Sequence, residues 1–442
     1  MDLDELVFGF SKHPLQYGTG LKVGAGRVVP EVKYFPRVDK DLKDEYIKIT
    51  NDVLKRASDL GITDLQLETE LTYIETRTPS LAAEIIHKQR EIIENFSREN
   101  GARIGFRVTV ADIRDFGKPK NDEEAFNKMM ETFEAVSESG ADVLSIESLG
   151  GKELFNYAII RQDILGAVAS LGFLAILDMK KLWKNIVQIA TNNHVVPGGD
   201  TACGFANTAM KLAGGLNDRM IPHTFSAIIR AMSASRSLVA YEMGARGPGK
   251  DCGYENIIIK FITGYPMSME GKSSAVAHSS LLGNISCAGA DLWSNEQVEN
   301  IKLFGGYGPQ VFLEILHYDV KLLNKAIELG KHKELRDLLV ESDIYIDPQA
   351  FILAPKVAQE IAYELTKQDD ELERTVAAGL RAIDLISNEE RLSLSPAEVR
   401  FLKMARRIFD DIMKDPHKKI EEALASYESR VEKLKVRDYL EF

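Results

Sequence analysis

Residues 140–165, GADVLSIESLGGKELFNYAIIRQDIL, contain one complete strand-and-helix unit. The apolar run at 143–147 is typical of a buried strand, and Gly150 and Gly151 follow it as a turn. Phe155 and Ile159 then begin an apolar pattern with the spacing of one helix face. A strand followed directly by an amphipathic helix is the repeating unit of a parallel sheet.

The same unit recurs along the chain. Eight strand-like runs alternate with helical stretches, which suits a TIM barrel better than a doubly wound sheet of five to seven strands. We therefore predict an α/β fold, a (β/α)8 TIM barrel. The predicted strands are residues 65–68, 104–109, 143–147, 173–177, 195–197, 238–242, 266–269 and 290–293.

The two ends of the chain differ from this pattern. Residues 1–60 are rich in glycine, proline and aromatic residues before a helical stretch, which indicates an N-terminal extension. From Pro309 onward only helical periodicity recurs. The predicted division is an extension at 1–60, a catalytic barrel at 61–330 and a C-terminal helical annex at 331–442.

Charge and composition limit the partners. The 442 residues include 55 Lys and Arg against 67 Asp and Glu, a formal charge of −12, which argues against a nucleic-acid-binding surface. Three cysteines are too few for a disulfide framework and suit a reducing compartment. The first residues have no signal-peptide pattern, and the longest nearly apolar run, 164–177, is too short to span a bilayer. We expect a cytoplasmic protein.

Carboxylates recur at or just after the predicted strand ends. In a TIM barrel these ends form the active-site mouth, where so many negative charges need a cation or bound protons. The alternative for any one of them is a helix cap. A metal site accounts for the set as a whole, which comprises Glu68, Glu70, Asp112, Glu147, Asp178, Asp200, Glu242, Glu270 and Asp291.

Two cysteines follow neighbouring predicted strands. Cys203 lies in GGDTACG at 198–204, and Cys252 lies in GPGKDCG at 247–253. Thiolates combined with an oxygen ligand favour Zn²⁺, with a fourth position open for substrate. Glu147 is the candidate third ligand. The alternative is that both cysteines are small buried apolar residues, which is the interpretation we give to Cys287.

One further motif offers a different function. GARGPGK at 244–250 satisfies the phosphate-loop pattern GxxxxGK. Asp251 stands where that loop needs a serine or threonine for Mg²⁺, and its carboxylate would repel phosphate. A nucleotide-binding barrel is therefore the weaker alternative.

Several strings together resemble the zinc-containing subunit of methanol:corrinoid methyltransferase, the methanol-cobalamin methyltransferase B subunit family. They are GADVLSIES at 140–148, GDTAC at 199–203, ANTAM at 206–210, SLVAYE at 237–242 and GPGKDCGYEN at 247–256. The similarity extends from FGFSK at 8–12 to DPQA at 347–350. The family is a (β/α)8 barrel whose zinc ligands match Glu147, Cys203 and Cys252.

The resemblance implies transfer of the methyl group of methanol to cobalt(I) of a separate corrinoid protein. Zinc lowers the pKa of bound water from about 15.7 to about 7, so it would polarise the methanol oxygen as a leaving group. The candidate catalytic residues are Glu147, Asp200, Glu242 and Asp251, as ligand, as acid or as groups that orient the ligands. A methoxylated aromatic donor is an alternative with the same zinc and corrinoid chemistry. We expect a homo-oligomer within a complex with the corrinoid protein.

Overall fold

A computed structural model gives the three-dimensional structure of the chain. It describes residues 1–34, 41–114, 123–214, 219–278, 280–295 and 302–440.

The strands in these residues form one large sheet and two small hairpins. They are β1 (Phe10–Tyr17), β2 (Leu21–Ala25), β3 (Val29–Tyr34), β4 (Asp64–Glu70), β5 (Arg103–Val110), β6 (Val143–Ile146), β7 (Val196–Gly199), β8 (Ser268–Glu270), β9 (Leu292–Ser294), β10 (Lys302–Leu303) and β11 (Gly306–Tyr307). Seven of them pair in parallel in the order β7-β6-β5-β4-β3-β9-β8. β1 pairs with β2, and β10 with β11, both antiparallel.

Helices connect the strands and form the whole C-terminal part. They are α1 (Leu42–Asp59), α2 (Tyr73–Arg77), α3 (Pro79–Asn100), α4 (Glu123–Glu138), α5 (Lys152–Ile160), α6 (Ile164–Ala169), α7 (Ala175–Asn192), α8 (Thr208–Ala213), α9 (His223–Glu242), α10 (Asn256–Thr263), α11 (Lys272–Ala277), α12 (Gly308–Glu328), α13 (His332–Asp343), α14 (Pro348–Leu353), α15 (Pro355–Thr366), α16 (Glu371–Asn388), α17 (Pro396–Ile412), α18 (Pro416–Glu428) and α19 (Arg437–Leu440). Two π-helical turns, Ser170–Leu174 and Cys203–Asn207, and a 3₁₀ turn, Ile285–Gly289, complete the set.

The parallel sheet is curled, and one backbone segment contacts both of its outer strands. This segment, residues 246–251, begins where Arg246 N donates to Pro197 O of β7 at 2.8 Å. Farther along, Ser268 N and Glu270 N of β8 donate to Gly249 O at 3.1 Å and Asp251 O at 3.0 Å. The segment therefore lies between the two outer strands of the sheet.

The strands alternate between an apolar face and a polar face. In β4, Leu65 and Leu67 pack into the hydrophobic core, whereas Gln66, Glu68 and Glu70 are buried polar residues. This period of two is the ordinary geometry of a strand. The apolar face packs against the surrounding helices.

The polar residues occupy the concave face. Arg107 of β5 donates to Gly249 O at 3.4 Å, a contact between backbone segments that are not neighbours in the sheet. Its Nε also lies 3.0 Å from Glu31 Oε1 of β3. Side chains from separate strands can meet in this way only on the inside of a curled sheet. The interior is thus filled by ion pairs and hydrogen bonds instead of branched apolar side chains.

Two of the eight predicted strands are wrong. Residues 173–177 lie in the π-helical turn Ser170–Leu174 and the start of α7, and residues 238–242 form the last turn of α9. Every residue of α9 from His223 to Ala240 is buried. A helix that is buried all round lacks the amphipathic pattern, so its apolar run resembles a buried strand.

The other six predicted runs overlap strands of the sheet, and one strand was not predicted. β3 lies within residues 1–60 and occupies the sheet between β4 and β9. Its interior residues Glu31 and Lys33 are charged, so the segment does not have the sequence pattern of a buried strand. The division into extension, barrel and annex stays a prediction, with the addition that residues 29–34 contribute to the sheet.

After β11, the described residues form helices joined by turns, and no strand occurs among them. α16 packs on α9, where Thr375 Oγ1 lies 2.9 Å from Ser235 Oγ. Throughout the described part of the chain, no helix combines the length and apolarity needed to cross a bilayer.

Gly247, in the segment 246–251, occupies a position where a side chain would be strained. It has φ +79°, and an added Cβ would lie 2.6 Å from Pro266 O. In Gly247→Ala we expect about 1–2 kcal/mol of left-handed backbone strain plus about 1–3 kcal/mol from the clash. Gly330→Ala is the matched control, since Gly330 has φ +65° but nothing within 4 Å of the added Cβ. Thermal melts should show a clearly larger loss for Gly247→Ala; equal losses would contradict the close approach.

Candidate metal centre

Glu147, Cys203 and Cys252 meet in one cluster. One ligand atom from each lies within 4.8 Å of the others, and Cys252 Sγ donates to Glu147 Oε1 at 2.8 Å. Cys252 is buried, whereas Cys203 and Glu147 are partly exposed. The cluster therefore opens toward solvent on one side.

The parallel sheet brings these residues together. Glu147 directly follows β6, and Cys203 follows β7 at the start of the π-helical turn Cys203–Asn207. Cys252 follows the segment 246–251 and precedes α10. Parallel strands present their carboxyl ends at the same edge, so residues distant in sequence converge there.

Burial keeps the two thiols protonated when no cation is bound. Burial raises the pKa of Cys252 well above its usual value. The hydrogen bond with Cys252 lowers the pKa of Cys203, but burial and the Glu147 charge raise it by more. Burial also raises the pKa of Glu147, and Lys250, Lys33 and the Cys252 thiol lower it by more. The site thus offers one carboxylate and two thiols that a cation would convert to thiolates.

Lys250 places a buried ammonium group beside this cluster. Its Nζ lies 3.4 Å from Glu147 Oε1, 2.9 Å from Glu68 Oε1 and 2.7 Å from Glu70 Oε1. Burial alone would lower the pKa of Lys250, but the carboxylates of Asp251, Glu68 and Glu70 raise it well above its usual value. Lys250 therefore remains charged inside the sheet.

Most of the predicted mouth carboxylates have basic partners. The contacts are Lys250 with Glu68 and Glu70, Lys33 with Asp251 and Glu270, Arg114 with Asp112 and Asp178, Arg236 with Asp200, and Lys260 with Asp291. Mutual repulsion among these carboxylates therefore does not require a metal, because lysine and arginine side chains balance their charge. The argument from the two cysteines and Glu147 does not depend on that repulsion.

Asp200 and Asp251 hold the backbone next to the ligands. Asp200 accepts hydrogen bonds from Ser148 Oγ at 2.6 Å and Trp183 Nε1 at 3.0 Å, and Ser148 is adjacent to Glu147. Asp251 Oδ1 accepts from Cys252 N at 2.9 Å. Both carboxylates are fully buried.

Glu242 does not join the cluster. It is the last residue of α9, and its carboxylate accepts a hydrogen bond from Arg374 Nη1 of α16 at 2.6 Å. The chain enters the segment 246–251 only afterwards and reaches Asp251 at the other end of that segment. Glu242 therefore lies toward the opposite end of the sheet from Cys252.

The environment of Lys250 argues against the alternative of a phosphate-binding loop. Lys250 is 0% exposed and is engaged by carboxylates, so it has no free ammonium to offer a phosphate group. Its segment also follows the helix α9 instead of the strand predicted at 238–242.

Comparison with known proteins identifies the family. The family model for the methanol-cobalamin methyltransferase B subunit matches residues 1–440. The chain belongs to this family. The resemblance drawn from the sequence strings is confirmed, as is the prediction of a methyltransferase of the methanol and corrinoid type.

Two relatives of the methanol-cobalamin methyltransferase B subunit family cover nearly the whole chain. The methanol–corrinoid protein co-methyltransferase of Methanosarcina barkeri (strain Fusaro / DSM 804) is 42% identical over 447 residues, covering 99% of this chain and 96% of the relative. The crystal structure of the methanol:cobalamin methyltransferase complex from Methanosarcina barkeri matches with 41% identity and a TM-score of 0.96, covering 99% of this chain and 97% of that chain.

The sequence did not reveal that two lysines, Lys250 and Lys33, lie beside the candidate metal site. Lys250 stands between Gly249 and Asp251, in the same turn as Cys252, and that position was a usable signal. Lys33 lies in the segment interpreted as an extension, where no local pattern marks it. Its Nζ lies 3.1 Å from Asp251 Oδ2, a contact between β3 and the segment 246–251 that the curl of the sheet creates.

Lys250→Met tests whether the ammonium stabilises the interior. Removing it leaves Glu68 and Glu70 buried without this partner, which should cost about 3–5 kcal/mol near neutral pH. Burial already raises the pKa of Glu70 from 4.5 to about 8 against the opposing effect of Lys250, so the variant pKa should rise further. Below pH 8 both folded proteins hold this proton, so the difference between their stabilities changes little with pH. Above pH 8 the unsubstituted protein releases the proton and the variant keeps it, so only the variant continues to lose stability as pH rises.

Thermal melts from pH 7 to pH 10 measure this effect. The deficit of Lys250→Met relative to the unsubstituted protein should be nearly constant up to about pH 8 and should grow above it. Lys55→Met, which removes an exposed lysine 2.8 Å from Asp59, is the control and should change little at any pH. A deficit independent of pH would refute the role of Lys250 as counter-ion.

Proposed function

We propose that the protein transfers the methyl group of methanol to the corrinoid of a separate partner protein, using a zinc ion held by Glu147, Cys203 and Cys252. The convergence of these three side chains supports the proposal most directly, since their ligand atoms lie within 4.8 Å of one another. The M. barkeri relative, named for methanol and a corrinoid protein, supports the substrate pair.

The donor set fits zinc. Two thiolates and one carboxylate are ligands that Zn²⁺ accepts, and three protein ligands leave one position for substrate. Glu147 is 33% exposed, so a small molecule can reach the cluster from its open side. A second group of acidic residues, Glu68, Glu70 and Asp251, also has a compact arrangement, but the ammonium group of Lys250 already lies within 2.9 Å of each of the three carboxylates.

Zinc bound here would supply Lewis acidity that draws electron density from the methanol oxygen and weakens its bond to the methyl group. The chain supplies the positioning. Lys250 keeps an N–H group 3.4 Å from Glu147 Oε1, Asp200 fixes Ser148 beside Glu147, and Asp251 fixes the amide of Cys252. We assign Asp200 and Asp251 as positioning residues, and we leave Glu242 out of the site.

We also propose that the fold is a closed (β/α)8 barrel. The segment 246–251 would serve as the eighth strand between β7 and β8, so that β3 and this segment together replace the predicted strands at 173–177 and 238–242. Its backbone hydrogen bonds to Pro197, Pro266 and Ser268 support this interpretation. The corrinoid would then reach the metal from the carboxyl ends of the strands. The homo-oligomeric state stays a prediction.

Metal analysis tests the zinc ligands. The purified protein should contain about one zinc per chain and should convert added cob(I)alamin to methylcobalamin when methanol is supplied, as followed by the cobalt spectrum. Cys203→Ala and Cys252→Ala each remove a thiolate, so both should lose the zinc and the methyl transfer.

Cys287→Ala provides the matched control. Cys287 is also a buried free cysteine, but it lies in the 3₁₀ turn Ile285–Gly289, outside the ligand cluster. This variant should retain both zinc and activity. Full activity of Cys203→Ala or Cys252→Ala would refute the proposed centre.

A further inference from the structure

Asn207 joins the two turns that bear the cysteines. Its Nδ2 donates to Cys252 O at 2.9 Å and also lies 3.5 Å from Cys203 Sγ. An amide NH₂ group has two hydrogens, so one side chain can serve both acceptors. Asn207 ends the π-helical turn that Cys203 begins, and it is almost fully buried.

Arg230 determines which way this amide faces. Its Nη2 donates to Asn207 Oδ1 at 2.6 Å. A guanidinium group only donates, so it requires the amide oxygen on its own side and turns the NH₂ group toward the cysteines. The hydrogen bond from Arg230 therefore determines which end of the Asn207 amide is the oxygen and which is the NH₂ group.

Arg230 is itself anchored by Glu255. The Arg230 Nη1 atom lies 3.0 Å from Glu255 Oε2, and both residues are fully buried. Glu255 Oε1 accepts from Ala202 N at 2.8 Å, directly before Cys203, and from Ser237 Oγ of α9 at 3.0 Å. A continuous chain of hydrogen bonds thus extends from α9 to both cysteine-bearing turns.

We propose that Asn207 is a positioning residue that fixes the two thiolates for the metal and donates an N–H···S hydrogen bond to Cys203. This inference rests on the proposed zinc centre. Two thiolates and a carboxylate give bound Zn²⁺ a net charge of −1, which weakens its Lewis acidity. A hydrogen bond into the Cys203 sulfur withdraws part of that negative charge and favours a more electrophilic metal.

Asn207→Leu removes the N–H donors and keeps a side chain of similar size. We expect zinc affinity, measured by competition with a chromogenic chelator, to fall about 10–100-fold. In protein loaded with Co²⁺ instead of zinc, the thiolate-to-cobalt charge-transfer band should shift to longer wavelength, because the sulfur loses its hydrogen bond. Both readouts are independent of methyl transfer.

Asn324→Leu is the matched control. The Asn324 amide also bridges backbone groups, contacting Val28 N at 2.8 Å and Val28 O at 2.9 Å, before β3 and away from the cysteines. This variant should lose comparable stability in thermal melts but keep the wild-type band and zinc affinity. If Asn207→Leu behaves in the same way, its role is only structural and the proposal is overturned.

The remaining outcomes are also decisive. Should Asn207→Leu fail to fold by circular dichroism, Asn207→Ser carries the same expectation, and an unchanged band in that variant overturns the proposal. Wild-type protein that shows no thiolate–cobalt band refutes the metal centre itself, and the role of Asn207 fails with it. A normal wild-type band combined with unchanged variants refutes the role of Asn207 alone.

Discussion

The buried ammonium of Lys250 is the interaction on which the interior of the sheet depends. Glu68 and Glu70 of β4 point into a space closed to solvent, where unpaired carboxylates would each cost several kcal/mol or take up a proton. Lys250 contacts both of them and also approaches Glu147. The same side chain thus balances the charge of the interior and borders the proposed metal centre, which couples the stability of the sheet to the geometry of the site.

This polar interior explains which parts of the fold were predictable. β4 and β5 were predicted because the outward residues of the predicted runs are apolar and supply a strong signal. They are Leu65 and Leu67 in β4 and Ile104, Phe106 and Val108 in β5. β3 was missed because Glu31 and Lys33 interrupt its pattern, and only their partners on other strands, Arg107 and Asp251, make the burial of those charges favourable. Local periodicity contains no information about a partner contributed by a distant strand, so a strand with a charged inner face does not show the usual alternation.

The site was predictable to the extent that residue type alone defines its chemistry. Cysteines after two predicted strands and a glutamate after a third are unusual enough to suggest a metal. The parallel arrangement implied that the three meet, although the strand predicted before Cys252 is the end of a helix. Glu242 was predicted at the wrong end of the sheet. The apolar run before it was interpreted as a strand, although it is the end of the buried helix α9. An error in one element moved a carboxylate from one end of the sheet to the other. Asn207 could not be found because its role depends on Arg230, which lies on that same helix.

Glu147, Cys203 and Cys252 stand on three separate turns, and turns of this kind are mobile unless other groups hold them. Each ligand has an anchor of a different origin: Asp200 acts through Ser148, Asp251 binds the amide of Cys252, and Asn207 bridges the two cysteine turns. Since the anchors are buried, their hydrogen bonds are made before any metal binds, and little conformational entropy is left for the metal to remove. In the proposed centre, such rigidity would also keep the open position of the metal fixed, so that substrate and corrinoid could approach each other along one direction. Of the two roles that the sequence left open for Asp200 and Asp251, acid or orienting group, these contacts favour the second, in which both carboxylates would hold the three proposed ligands in place.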